Sequence, residues 1–228
     1  MTIDRKAIRA CVFDAYGTLF DVASATARCQ EVLGEKTSRL SSLWREKQLQ
    51  YTWLRAVQGR HADFWQVTGD ALDYAMDALD LGDADLRKRL MDLYLRLDVF
   101  AEVPDVLQRL KLSGMSMAIL SNGSPSMLAA AVEHTNIATQ LDLVISVEEV
   151  GVYKPHPAVY GRATERLGLA PRQICFLSSN SWDAYAASAF GMQVIWCNRY
   201  GQRAERLPGL PEAEVRDLAQ VPALLLAG

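Results

Sequence analysis

The sequence predicts an α/β fold in which a doubly wound parallel sheet carries an inserted helical segment. Two observations indicate the sheet: short apolar runs without alternation, and helical patterns between the later runs. Continuous apolar runs are typical of strands covered on both faces, and their alternation with helices favours parallel pairing. A long helical stretch after the first run indicates the insertion. The predicted strands are Ala10–Phe13, Met117–Leu120, Leu143–Ser146, Ile174–Leu177 and Gln193–Cys197.

Four helices are predicted around the later strands. They begin near a proline or serine, and three end just before a glycine, which is the usual punctuation of a helix. A further short helix or strand is expected within Leu207–Gly228. The four predicted helices are Pro104–Ser113, Pro125–His134, Pro157–Leu167 and Ser181–Phe190.

The insertion follows the first strand and shows no strand pattern. We expect a helical cap domain over residues 21–99, inserted into a core domain made of residues 1–20 and 100–228. Apolar residues recur in the insertion at helical spacing. The helices that this spacing predicts are Arg39–Val57, Phe64–Leu81 and Leu86–Leu97.

Composition and charge restrict the partners of the chain. Half of its 228 residues are hydrophobic, 22% are charged, and the net charge is −3. This balance implies no basic face, which argues against nucleic acid as a partner. No apolar run approaches the roughly 20 residues that span a bilayer. The apolar run after the first basic residues is too short for a signal-peptide core. We expect a cytoplasmic protein without a membrane partner.

The cysteines indicate buried free thiols in a reducing compartment. Three lie in apolar, strand-like runs and one in a helical stretch, and none forms a C-x-x-C pair. Zinc therefore has no support from the sequence. The four cysteines are Cys11, Cys29, Cys175 and Cys197.

Polar residues follow the predicted strands at the ends where a doubly wound sheet forms its sites. Asp14 closes the first strand and opens a glycine turn, and Ser121 and Asn122 follow the second strand. Lys154 and the loop 178–183 follow later strands. We expect these groups to converge in space. Asp14 alone could cap its turn, but convergence favours a carboxylate nucleophile that forms an ester.

Each polar residue expected near Asp14 could instead have a purely structural role. The turn that starts at Ser121 could bind an anion, while Ser124 could cap the following helix. Lys154 could keep Asp14 ionised or be a surface lysine before a turn. Asp183 could orient Lys154, accept a proton from water, or be the first-turn acid of its helix.

The cap helix and the loops could complete a small substrate pocket. A guanidinium on the cap helix, which has several arginines nearby, could hold a departing anion or a carboxylate; the choice of Arg45 among them is implied only by the family resemblance below. An apolar wall could come from Tyr16, Leu49, Phe64 and Trp182, although packing between cap and core is the better interpretation of any one of them.

These stretches together resemble the haloacid dehalogenase superfamily, and within it the (S)-2-haloacid dehalogenases. The resemblance covers most of the chain and implies a Rossmann-like core with an inserted helical cap. The second and fifth stretches below are specific to the dehalogenase branch. The stretches are FDAYGTLFD at 13–21, LWREKQLQYTWLR at 43–55, ILSNGSP at 119–125, VYKP at 152–155 and SSNSWD at 178–183.

The resemblance implies a reaction. Asp14 would displace the halide from the α-carbon of an L-2-haloalkanoate with inversion, and water would cleave the resulting ester to release a D-2-hydroxy acid. Arg45 and Asn122 would receive the halide. The resemblance also implies that no metal or other cofactor is used, and that the protein is a homodimer.

It also implies roles for the remaining positions. Thr18 would support the nucleophile, and Lys154 would keep it ionised. The substrate carboxylate would be held by Ser121 and by backbone N–H groups near Ala15 and Tyr16. The network around the lysine would be ordered by Tyr160, Ser178, Asn180 and Asp183. One departure is Glu46, an acid after the cap arginine that could pull Arg45 or alter substrate choice.

Three alternatives are weaker. A Mg²⁺-dependent phosphatase of the same fold would need more carboxylate ligands and a proton donor for its leaving group. Tyr16, which stands where such a relative carries a second aspartate, is a far weaker acid at neutral pH. A protein that binds small carboxylates without turnover would not need an ionised nucleophile. A different hydrolytic displacement at an α-carbon could use the same machinery.

Overall fold

The computed structural model describes residues 3–226, and a six-stranded parallel sheet forms its centre. Five of these strands were predicted, three of them with the same bounds. The strands in chain order are β1 (Ala10–Phe13), β2 (Phe20–Asp21), β3 (Asp98–Val99), β4 (Ser116–Ser121), β5 (Leu143–Ser146), β6 (Ile174–Ser178), β7 (Gln193–Cys197) and β8 (Ala213–Val215).

The order across the sheet is β5-β4-β1-β6-β7-β8, so β1 lies near the middle between β4 and β6. All four β1 side chains are fully buried, as continuous apolar strands of a covered parallel sheet should be. Phe13 pairs with Ile119 on one side and Leu177 on the other. This register brings Asp14, the residue after Phe13, to the edge where β4 and β6 also end.

Ten α-helices are described within residues 3–226, and the predicted helices of the core are confirmed. Three have the predicted bounds, and the first is shifted by one residue. None of the ten is long and apolar enough to cross a membrane. The helices are α1 (Ser24–Ala27), α2 (Gln30–Leu33), α3 (Thr37–Gln58), α4 (Phe64–Asp77), α5 (Ala84–Tyr94), α6 (Val103–Leu112), α7 (Pro125–His134), α8 (Pro157–Leu167), α9 (Ser181–Phe190) and α10 (Val221–Leu226).

The insertion is helical as predicted, from α1 to α5, but the expectation that it holds no strand was wrong at its boundaries. Its first residue belongs to β2 and its last to β3, and these strands pair antiparallel, Phe20 with Val99 and Asp21 with Asp98. Two-residue strands carry no periodicity, so the sequence pattern could not reveal them. Helix α4 ends at Asp77 and α5 at Tyr94, a few residues before the predicted ends.

The chain passes between the sheet and the insertion twice, at β2 and at β3. Because these two strands pair, the two connections lie side by side. The backbone N–H of Phe100 also donates to the carbonyl of Leu19 (3.1 Å). On this basis we propose the division into a core of residues 1–20 and 100–228 and a cap of residues 21–99.

The last stretch contains both kinds of element that were expected as alternatives. Strand β8 adds to β7 at the sheet edge, and α10 buries Val221, Pro222 and Leu225. The final two residues of the stretch, Ala227 and Gly228, lie outside the described residues.

The start of α5 offers a test of local stability in the cap. The Asp83 carboxylate accepts hydrogen bonds from the backbone N–H groups of Asp85 and Leu86, both at 2.9 Å. We expect Asp83→Ala to lower the free energy of unfolding by about 1 kcal/mol, because two helix N–H groups lose their acceptor. Asp83→Asn, which keeps a side-chain oxygen, should lose much less. Urea denaturation checks both, and an equal loss in the two variants would contradict the capping role.

Candidate active site

Asp14 is a buried carboxylate, 5% exposed, that accepts hydrogen bonds from three side chains. Thr18 Oγ1 lies 3.0 Å from Oδ2, and Asn180 Nδ2 lies 2.7 Å from the same oxygen. Lys154 Nζ lies 3.1 Å from Oδ1. Gly17, which has a φ of 91°, allows the tight turn that returns Thr18 to Asp14.

Lys154 is a buried ammonium, with a side chain 1% exposed, that bridges two carboxylates. Its Nζ lies 2.8 Å from Asp183 Oδ2 as well as close to Asp14. The other Asp183 oxygen, Oδ1, accepts a hydrogen bond from the Tyr160 hydroxyl at 2.6 Å. Asp183 is fully buried and also lies in the first turn of α9, so two of its three alternatives hold together. Because Lys154 and Tyr160 each bond one of its oxygens, the geometry favours orienting Lys154 over accepting a proton from water.

The pKa values in this cluster follow from burial and from the neighbouring charges. Burial alone would lower the pKa of Lys154, but Asp14 and Asp183 outweigh it and hold the pKa above its usual value. Burial raises the pKa of Asp183, and the Asp14 charge adds to this while Lys154 opposes it. Burial and then Asp183 hold the pKa of Tyr160 well above its usual value. Lys154 therefore stays charged and Tyr160 stays a donor at neutral pH.

The loop after β6 supports Asp14 through its backbone and its amide. The backbone N–H of Ser179 donates to Thr18 Oγ1 at 2.8 Å, which fixes the hydroxyl that reaches Asp14. Ser178 Oγ accepts from the Asn180 backbone N–H at 3.1 Å, and among the described residues it forms no hydrogen bond with Asp14. Ser178 therefore acts through the position of Asn180.

The turn after β4 lies on the other side of Asp14. Ser121 Oγ accepts a hydrogen bond from the Gly123 backbone N–H at 3.0 Å, and Ser124 caps α7 as expected. The Asn122 side-chain oxygen accepts from the backbone N–H of Lys154 at 3.0 Å. This bond leaves the Nδ2 end of the Asn122 amide as a donor for the cavity that Asn122 lines.

Arg45 extends from the insertion to the core loops. Its Nη2 donates to the Tyr16 carbonyl at 3.1 Å and to Asn180 Oδ1 at 3.2 Å. Its Nη1 donates to Gln48 Oε1 at 2.7 Å. Glu46, the acid that could have pulled Arg45, is exposed, and within residues 3–226 the two form no ion pair.

A small cavity of about 10 Å³, which is room for about one water molecule, lies among these groups. Its walls combine polar groups around Asp14 with apolar groups from cap and core. The residues that line it are Asp14, Tyr16, Arg45, Leu49, Phe64, Ser121, Asn122, Asn180 and Trp182. All four members of the expected apolar wall are among them. Ala15 is buried beside Asp14 in the same turn, whereas Tyr160 lies behind Asp183 and does not line this cavity.

The chain is similar to known proteins over most of its length. The model of the haloacid dehalogenase-like hydrolase family matches residues 8–191. The chain belongs to this family. It is 46% identical over 218 residues to the (S)-2-haloacid dehalogenase of Pseudomonas sp. (strain YL), covering 95% of this chain and 94% of that protein. It is 44% identical over 220 residues to (S)-2-haloacid dehalogenase 1 of Pseudomonas sp. (strain CBS-3), covering 96% and 97%.

A solved member of the family supports the same likeness in three dimensions. It is the L-2-haloacid dehalogenase from Xanthobacter autotrophicus with chloropropionic acid covalently bound. The TM-score is 0.89 at 36% sequence identity, and the alignment covers 96% of this chain and 98% of that one.

The sequence analysis missed two residues of this protein that support the site without lining its cavity. Gln48 is 1% exposed and bonds Arg45, and its position three residues after Arg45 on one helix was an available signal. Arg199 donates from Nη2 to the Thr18 carbonyl at 2.8 Å and pairs with Glu102. Arg199 follows β7, so the rule that polar residues collect after strand ends could have found it.

The two carboxylates around Lys154 predict how the stability of the protein changes when this cation is removed. We expect Lys154→Met to lower the free energy of unfolding by about 3–5 kcal/mol at neutral pH, because buried charge is left uncompensated. Without the cation, burial and the Asp14 charge raise the folded pKa of Asp183 above its unfolded value. The folded variant then binds more protons than the unfolded chain, so its stability should recover as the pH falls toward about 5.

Chemical denaturation across this pH range checks the expectation. Lys88→Met is the matched control, because Lys88 is exposed and pairs with Asp92 at the surface. It should change stability little at any of these pH values. If Lys154→Met behaved like Lys88→Met, the buried cluster would not have the charges described.

Proposed function

We propose that this protein hydrolyses small L-2-haloalkanoic acids to D-2-hydroxy acids through an ester on Asp14. One observation carries the proposal: the Asp14 carboxylate is buried against the Lys154 ammonium at 3.1 Å. A buried carboxylate that is fixed beside a cation suits a nucleophile that forms an ester. The named activity of the Pseudomonas relatives, and the covalently bound chloropropionic acid in the Xanthobacter autotrophicus protein, support the same reaction.

In the first step an Asp14 oxygen attacks the α-carbon from the side opposite the halogen. The carbon–oxygen bond forms as the carbon–halogen bond breaks, and the halide leaves with the bonding electron pair. Attack from behind inverts the configuration. Thr18 and Asn180 hold the carboxylate in one orientation, which places the attacking oxygen without reorganisation.

In the second step water attacks the carbonyl carbon of the Asp14 ester. The acyl–oxygen bond breaks, the hydroxy acid leaves with a hydrogen on its new hydroxyl, and one proton passes to solvent. Asp14 returns as a carboxylate beside Lys154. The positive charge of Lys154 stabilises the carboxylate that hydrolysis regenerates. Asp183 and Tyr160 keep the ammonium in place through both steps.

The two ends of the substrate have different partners. Ser121 and backbone N–H groups near Ala15 and Tyr16 hold the carboxylate of the substrate. Arg45 and Asn122 receive the halide, since a guanidinium and a free amide N–H₂ are both anion donors. Leu49, Phe64 and Trp182 form an apolar wall around the alkyl group.

The residues around Asp14 do not fit a Mg²⁺ site. Mg²⁺ needs several oxygen ligands in an octahedral arrangement. Here the Asp14 carboxylate already binds the Lys154 ammonium, and the nearby Asp183 carboxylate is bonded to Lys154 and Tyr160. Within residues 3–226, no three His, Cys, Asp or Glu side chains are grouped so that they could hold a metal. No step of the proposed reaction passes through a metal.

One assay tests the reaction. The protein is incubated with L-2-chloropropionate in the presence of EDTA, and chloride release is measured for wild type and for Asp14→Asn. We expect EDTA to leave the wild-type rate intact. Asp14→Asn should reduce chloride release to background, because an amide is a poor nucleophile. The product should have the D configuration.

A matched variant separates the nucleophile from general damage to the fold. Asp21→Asn changes an aspartate of β2 that lies outside the cavity, and it should keep activity. The proposal fails if wild type releases no halide from a panel of 2-halo acids. Phosphate release that depends on Mg²⁺ would favour the phosphatase instead.

We also propose that the protein is a cytoplasmic homodimer, as the resemblance implies. Four buried free cysteines suit a reducing compartment. The cap presents exposed apolar side chains, including Leu54, Val57 and Tyr74, which are candidates for the contact between subunits.

The mass in solution tests the dimer. Light scattering coupled to gel filtration should give twice the chain mass of 25.3 kDa. Leu54→Lys together with Val57→Lys should shift the mass toward the monomer, because unpaired positive charges would be buried at the interface. A monomeric wild type at micromolar concentration would contradict the dimer.

A further inference from the structure

The Tyr16 hydroxyl is a buried polar group for which the proposed reaction has so far given no role. Tyr16 is 3% exposed and lines the same cavity as Asp14. Within residues 3–226, its hydroxyl makes no hydrogen bond. Because an unsatisfied buried hydroxyl costs free energy, a tyrosine kept at such a place points to a partner that arrives with the substrate.

The contacts of the ring show where the hydroxyl end lies. A Cβ placed on Gly123 would lie 2.7 Å from Tyr16 Cε2, the ring carbon next to the one that bears the hydroxyl. The ring stacks on Tyr94 with centroids 5.6 Å apart and an angle of 18° between planes. On another side it meets Phe64, with centroids 5.7 Å apart. The hydroxyl end is thus held beside the turn that carries Asn122.

The hydroxyl keeps its proton in this environment. Burial raises the pKa of Tyr16 well above its usual value, and the nearby Tyr94 and Asp14 add to this while Arg45 opposes it. A protonated phenol is a hydrogen-bond donor, and Tyr16 lines the same cavity as Arg45 and Asn122.

We propose that the Tyr16 hydroxyl donates a hydrogen bond to the departing halide, as a third donor beside Arg45 and Asn122. The inference rests on the proposed dehalogenation. The halide leaves with the electron pair of the carbon–halogen bond, and the phenol retains its proton. A phosphate-cleaving relative would have a second aspartate here to protonate its leaving group, whereas a halide needs only stabilisation of its developing charge.

Tyr16→Phe tests the proposal because it removes only the hydroxyl. We expect the single-turnover rate of halide release to fall roughly tenfold to hundredfold, as for loss of a hydrogen bond to a charged group. The KM for the substrate should change little. The fall should be larger for 2-chloropropionate than for 2-bromopropionate, because chloride is the poorer leaving group and the stronger hydrogen-bond acceptor. The stability to urea should stay equal or rise.

Two further measurements separate the role from its alternatives. Tyr185→Phe is the matched control, since Tyr185 is 4% exposed and lies outside the cavity. It should leave both rates unchanged. Chloride binding, read from the broadening of the chloride NMR line by the protein, should weaken in Tyr16→Phe and not in Tyr185→Phe. This binding can be measured even if wild type releases no halide, so failure of the proposed function is distinguishable from failure of this inference.

The inference is overturned by either of two results. In the first, Tyr16→Phe keeps the wild-type rates and chloride binding and gains stability, which would mean that the hydroxyl is merely unsatisfied. In the second, the rates for chloride and bromide fall equally while the KM rises, which would place the hydroxyl on the substrate carboxylate.

Discussion

The ammonium of Lys154 is the group on which the rest of the site depends. It joins Asp14, at the end of β1, to Asp183 in the first turn of α9, and it is almost completely buried. Two carboxylates and one cation leave one net negative charge in a region with little water. Such a cluster persists only while every member keeps its hydrogen bonds, because each buried charge is expensive to leave unpaired. Thr18, Asn180 and Tyr160 supply those bonds.

The cap takes part in the same network through Arg45. Asn180 donates to Asp14 with its Nδ2 and accepts from Arg45 with its Oδ1, so one amide connects the nucleophile to the cap helix. Gln48 holds the other end of the guanidinium, and it is itself fixed by Thr68 and Tyr94. The orientation of Asp14 therefore depends on the position of the cap. A displacement of Arg45 would move the Asn180 amide, which is hydrogen-bonded to Asp14.

The sequence predicted the part of this network that follows strand ends. Asp14, Asn122, Lys154 and Asp183 each lie on a segment after an apolar run, and parallel pairing is enough to bring them together. Contacts across the boundary between insertion and sheet were not predictable in this way. Gln48 is an ordinary polar residue on a helix until Arg45 and the core loops are placed around it. The role of the Tyr16 hydroxyl could not be predicted from the sequence either. Whether this hydroxyl has a hydrogen-bond partner depends on how the surrounding side chains pack.

The contacts of Trp182 affect the size of substrate that the proposed reaction could accept. A groove of about 470 Å³ lies between the cap helix α3 and the 152–156 loop, but neither Asp14 nor Arg45 lines it. Trp182 lines both this groove and the small cavity at Asp14, and its ring packs edge-to-face with that of Trp53, with centroids 5.4 Å apart. A short alkyl group that points away from Asp14 would contact Trp182 on the cavity side. In the proposed reaction a longer group would have to displace that indole from its contact with Trp53, so we expect the tryptophan pair to limit the chain length of the substrate.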